Sequence, residues 1–182
     1  MATPIPDHLP AANGRIMNKI KWITPHFAVS GALGPEDIRA AAAAGFKSIV
    51  SNLPDNEAGA PLSSVHEARL VAEAGLGFRH IPTTKHDVLS ERVVGGMVEA
   101  LSELETPVLG HCASGMRTIV AWAAAAARHQ PSDCVIGALS DAGVDLSGMH
   151  EELDVQHEKA LKGNRLPPAL DCECGADTPD AP

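Results

Sequence analysis

The sequence predicts an α/β fold, one domain built on a mostly parallel sheet flanked by helices. Short apolar runs alternate with helical segments of about 10–15 residues, the pattern of βαβ units with right-handed crossovers. Polar side chains collect just after the apolar runs, at the carboxyl edge where open parallel sheets bind ligands. The 182 residues, 45% of them hydrophobic, suffice for one sizeable core.

Each element follows from local chemistry. Residues 1–15 are proline-rich and lack an apolar stretch, so they predict a disordered leader rather than a signal peptide. HFAVS (26–30) predicts the first strand, with a turn at Gly31–Gly34. Pro35 suits the first turn of a helix, Glu36 and Asp37 suit its dipole, and the alanines run to Gly45 as its cap. KSIVSN (47–52) is a second strand, followed by the turn-forming SNLPDNEAGAP. Ser63 or Ser64 caps a helix that runs to Gly75, and FRHIP (78–82) is a third strand. After the loop TTKHDVL, Ser90 caps a helix with Val93, Val94, Met97, Val98 and Leu101 at helical spacing. PVLGH (107–111) reads as a buried fourth strand, and an alanine-rich helix around Trp122 runs from about Thr118 to His129. SDCVIGALSDAG continues as a helix to Gly143, and a polar helix with a solvated face runs from about Ser147 to Lys162. The expected organisation is a leader (1–15), an α/β domain (16–147), an appended helix (148–163) and an acidic, proline-rich tail (164–182) with no core pattern.

A net charge of −9 argues against a nucleic-acid or anionic-membrane surface. No run approaches the roughly 20 apolar residues of a membrane span. The four cysteines at 112, 134, 172 and 174 are irregularly spaced and predict no disulfide framework, which places the protein in a reducing, cytoplasmic setting. Cys134 reads as a small apolar helix residue. Cys172 and Cys174 can bind metal or act as a resolving dithiol, but no second ligand pair accompanies them, and no metal or cofactor is expected. No Gly-x-Gly-x-x-Gly or Walker pattern is present. Oligomeric state is left open.

Pro107–Thr118, PVLGHCASGMRT, concentrates the chemistry. Cys112 follows a strand and precedes a helix, where unpaired N–H groups and the helix dipole converge. Such a field lowers a cysteine pKa from about 8.5 into the ~3.5–7.5 range. Arg117 can fork two hydrogen bonds onto an oxyanion held by the same loop. From Cys112 to Arg117 is six residues, a small ring. A phosphoryl transition state favours a roomier one, whereas a persulfide adds a single sulfur.

The loop HCASGMRT resembles the signature of cysteine-dependent protein phosphatases, with one residue fewer between Gly115 and Arg117, and in length it is similar to rhodanese sulfurtransferase loops. Over roughly Ile16 to Leu146 the chain resembles the bacterial beta-lactamase-hydrolase-like, phosphatase-like domain. HFAVSGALGPEDI, AAGFKSIVSNLPD, AGLGFRHIP, PVLGHCASGMRT and DAGVDLSGM carry the resemblance. It implies a fold like the dual-specificity phosphatases, with four or five mostly parallel strands. It also implies either a phosphatase-like hydrolase or a sulfurtransferase, and hence a small anionic substrate, a phosphate ester or a sulfane sulfur donor.

In these terms Cys112 is the expected nucleophile, and Arg117 stabilises the developing charge. Amides of Ala113, Ser114, Gly115 and Met116 line the cradle, with Gly115 permitting close approach. Thr118 can donate its hydroxyl to the thiolate, and His111 can bond backbone and order the loop. Asp87 is the expected general acid, although it falls late after Pro82 and Lys85 stands where the acid is often found. His86 is a neighbouring alternative. Asp55 is another, whose ordinary reading is a turn; His80 reads as a satisfied sheet residue. A third class of function, an anion or redox binding module, is disfavoured by the intact Cys and Arg.

Overall fold

Each of the four apolar runs becomes a four-residue strand, and with one further strand they pair into one sheet in the order β1-β2-β5-β3-β4. These are β1 (Lys21–Thr24), β2 (Phe27–Ser30), β3 (Ser48–Ser51), β4 (Gly77–His80) and β5 (Val108–His111). The helices are α1 (Pro35–Ala43), α2 (Ser64–Glu73), α3 (Glu91–Glu103), α4 (Met116–Ala127), α5 (Ser132–Asp141) and α6 (His150–Glu158). The structure, a computed structural model, describes residues 19–159 and 166–174. The predicted leader (1–15) lies outside them, as does most of the tail.

Strands β2, β5, β3 and β4 run parallel, as the alternating pattern predicts. β1 is an addition to the strands read from the sequence. It pairs antiparallel with β2 through an irregular register, and its four residues KWIT are too short to display an alternation. Lys21 Nζ donates to the carbonyls of Ala142 (3.1 Å) and Gly143 (3.2 Å), placing a cation at the C-terminal end of α5.

The sheet separates two cores. Ile38, Ala41 and Val71 of α1 and α2 cover Ile49 and Leu109 on one face. On the other, α3 and α4 pack Met97, Leu101 and Trp122 against Phe27 and Val108. The alanines of α4 are buried all round the helix, which identifies it as the interior helix of this layer. They let it approach the sheet, and Gly110 does the same from below. A Cβ there would stand 2.6 Å from Thr118 Cγ2 and 2.9 Å from Phe27 Cζ. Ser63 and Ser90 cap α2 and α3 as the sequence predicts.

Three expectations need correction. The appended helix α6 is solvated on one side only: Leu153 and Gln156 are buried on the other, and Leu153 belongs to the core. The tail carries a core contribution too, since Ala169 and Leu170 are buried and Ala169 O accepts from Trp122 Nε1 at 2.8 Å. Cys134 is bonded to Cys174, with Cα atoms 5.9 Å apart across 40 residues of sequence. Spacing alone cannot reveal such a pairing. The pairing removes the cysteine-usage argument for a reducing compartment. Cys172 stays free, and burial pushes its thiol up to about 12. No described helix is long and apolar enough to cross a membrane.

Candidate active site

Strand β5 lies between β2 and β3, so the loop after His111 emerges at the middle of the carboxyl edge. The chain must turn sharply there to start α4, and Gly115 makes the turn at φ 92°. A Cβ at Gly115 would meet Val29 Cγ1 at 3.0 Å and Ser30 O at 3.1 Å, so both conformation and space demand glycine. The turn aims the Gly115 N–H at Cys112 Sγ, 3.1 Å away. Cys112 has no exposed surface, while Ala113, Ser114 and Met116 form an exposed rim above it. The Gly31–Gly34 turn supports the rim, Ala32 N donating to Ala113 O at 3.3 Å.

The helix begins at Met116, two residues before the predicted start, which puts Arg117 in its first turn. Arg117 Nη1 donates to Glu57 Oε2 (2.7 Å) and Thr83 O (2.7 Å), and Nη2 donates to Glu57 Oε1 (2.5 Å). These bonds use three of the five guanidinium hydrogens. Nε–H and one Nη2–H, adjacent on one edge, remain to fork onto an anion. The Glu57 hydrogen bonds, with a further contribution from Cys112, hold the guanidinium even more firmly charged than usual.

His111 does not bond backbone through its ring, as the sequence suggests. Its Nε2 lies 2.5 Å from Oε1 of Glu67 on α2, and both side chains are buried. Nor does Thr118 serve the thiolate. Its hydroxyl has no partner among the described residues, and its methyl packs over Gly110.

Asp87 is held locally. Oδ1 accepts from Thr84 N (2.7 Å) and Thr84 Oγ1 (2.9 Å), and Oδ2 accepts from Arg92 Nη2 (2.5 Å). The Thr84 amide, followed by Arg92, holds its carboxyl below the usual carboxylate range. His86 is exposed on the same loop. Asp55 accepts from Ser64 N and Oγ at the start of α2, and these bonds lower its pKa as well. His80 Nε2 donates to Leu53 O at 2.9 Å, so it is a satisfied sheet-edge residue. No metal-binding cluster of three side chains occurs among the described residues.

Glu57, Glu67 and the Thr83 carbonyl are contributions that the sequence reading missed. Glu67 left a trace: it stands one helical turn before buried Val71, so a charge occupies the buried stripe of α2. Glu57 sits in a loop of turn formers and left none.

The family description that matches residues 19–129 is "Beta-lactamase hydrolase-like protein, phosphatase-like domain". The beta-lactamase hydrolase-like protein of Agrobacterium fabrum (strain C58) is 27% identical over 97 residues, which is 53% of this chain and only 22% of the relative. A solved structure from Neisseria meningitidis Z2491, described as a candidate phosphatase, superposes with a TM-score of 0.63 at 30% identity, covering 75% of this chain and 97% of the other. Kinase-associated phosphatase, solved with its catalytic-site cysteine replaced by serine, shares the fold at 15% identity and a TM-score of 0.54, covering 78% of this chain and 92% of its own.

Proposed function

The chain belongs to the beta-lactamase hydrolase-like protein, phosphatase-like domain family, and from that premise we propose that it is a cysteine-dependent phosphatase for a small phosphate ester. One observation carries this reading. The Gly115 N–H points at Cys112 Sγ at the start of α4, and Arg117, with its free edge, lies in the first turn of the same helix. The Gly115 amide and the helix N-terminus behind it favour negative charge at this point. The same groups and the Arg117 fork suit the equatorial oxygens of a transferring phosphoryl group.

In the proposed reaction, Sγ attacks phosphorus as the ester P–O bond breaks, and the leaving oxygen takes up a proton. Water then attacks the cysteinyl-phosphate, releasing inorganic phosphate and restoring Cys112. Since Cys112 has no exposed surface, substrate entry requires the groups around the sulfur to move aside. With Asp87 bonded to Arg92 and ionised, the leaving group draws its proton from solvent, which suits esters of acidic alcohols and phenols. Family and fold favour this chemistry over persulfide transfer.

The test pairs reduced wild type with Cys112→Ser. One assay follows phosphate release from an aryl phosphate, the other thiocyanate from thiosulfate and cyanide. Phosphate release falling by at least about a thousandfold in Cys112→Ser is the expected result. Cys112-dependent thiocyanate with negligible phosphate release would replace the phosphatase with a sulfurtransferase.

A further inference from the structure

Side chains alternate across a strand, so His111 shares the face of Leu109 and turns toward α1 and α2, away from Gly110 and α4. The side chain that meets it there is a carboxylate. The Glu67 side chain is 5% exposed, that of His111 1%, and Oε1 lies 2.5 Å from Nε2. A buried carboxylate is tolerated only where a donor satisfies it, so Nε2 carries the proton. His111 Nδ1 has no partner among the described residues, and Glu67 is therefore the group that fixes the ring.

The arrangement reaches further than one pair. Asp55 accepts from the first residue of α2, the helix that carries Glu67, and Glu57 of the same connection grips Arg117. His111 and Arg117 flank the cysteine loop on its two sides. Each is held by a carboxylate from the single segment 55–67.

We propose that Glu67 is a positioning residue for Cys112: by accepting from His111 Nε2–H it pins the end of β5 from which the cysteine loop departs. The proposal rests on the reading of Cys112 as the nucleophile. It assigns Glu67 no contact with substrate. Its effect falls on how well the loop presents Sγ, while anion binding by Arg117 is left intact.

The experiment compares Glu67→Leu, which removes the acceptor at similar volume, with Glu67→Gln, which keeps a carbonyl acceptor. Aryl phosphate turnover in folded Glu67→Leu is expected to lose on the order of tenfold to a hundredfold in kcat with KM little changed. Glu67→Gln is expected to restore most of it. Alkylation of Cys112 by iodoacetamide at fixed pH should slow in parallel, and this readout needs no phosphatase activity. A protein that alkylates slowly but hydrolyses nothing would therefore sink the phosphatase reading alone. Wild-type kcat and alkylation in a folded Glu67→Leu would overturn the proposal. Where Glu67→Leu does not fold, nitrogen NMR of the wild-type His111 ring decides: a proton on Nε2 is expected, and a bare Nε2 would overturn it.

Discussion

Two loops meet at the carboxyl edge of the sheet, and their polar groups are spent in opposite ways. In the loop from Cys112 to Arg117 they point inward: an amide onto the sulfur, a guanidinium edge left open beside it. In the loop after Ile81 they satisfy one another. Asp87 takes the Thr84 amide and hydroxyl and the Arg92 guanidinium, and Arg92 also bonds Pro82 O at 2.7 Å. One loop is arranged for a ligand and the other for itself. The loops touch where the Thr83 carbonyl accepts from Arg117, so the second loop contributes backbone to the site. A loop can thus contribute to the candidate site through its main chain while its one acidic side chain is committed elsewhere.

The sharpest way to break this contrast is to remove the fork. Arg117→Lys keeps the charge but loses the planar edge and the bidentate grip of Glu57. Phosphatase kcat/KM should fall by roughly 10²–10³-fold, the usual consequence of losing a transition-state donor. Titration with orthophosphate as an inhibitor should show weaker binding as well. A lysine variant within a few-fold of wild type would mean that positive charge alone suffices.

A smaller effect is expected at Glu57, whose two oxygens hold the far edge of the same guanidinium. The pair is partly buried, with side chains 19% and 30% exposed, so solvent screens it only in part. If Glu57 orients Arg117, Glu57→Gln should lower kcat/KM by about tenfold, an effect of roughly 1–1.5 kcal/mol. If Glu57 instead competes with the substrate anion, orthophosphate will bind the variant more tightly than wild type. Inhibition constants for the two proteins separate these outcomes.

The contrast also marks what the sequence can say. The cysteine loop was legible because its pattern is local. A cysteine, a glycine that must turn at positive φ and an arginine two residues after it all fall within six residues, and the Ser63 and Ser90 caps are equally local. The partners that hold the loop come from far along the chain. Glu57 is 60 residues from Arg117, Glu67 is 44 from His111, and the Cys134–Cys174 bond spans 40. Only tertiary packing brings these together. Asp87 shows the opposite limit. Its place after the β4 strand pattern made it the natural acid, and nothing in the sequence reading credited Arg92, five residues on, as its partner.

Asp87 supplies the smallest expected effect and the most direct test of the contrast. Its pKa is lowered in the folded protein, first by the Thr84 amide and then by Arg92. A carboxyl so held is ionised at neutral pH and has no proton to donate. Its interactions favour the fold above the unfolded aspartate pKa near 3.9, and that contribution is lost as pH falls through the lowered folded value. Asp87→Asn should therefore change aryl phosphate kcat by less than about threefold, against the 10²–10⁴-fold of an engaged general acid. Thermal unfolding of the variant should come a little earlier than wild type at pH 7, with the difference shrinking toward pH 3. A hundredfold loss of kcat with the acid limb intact and the basic limb of the pH–rate profile abolished would give the other answer. Asp87 would then leave Arg92 during turnover, and both loops would be arranged for the ligand.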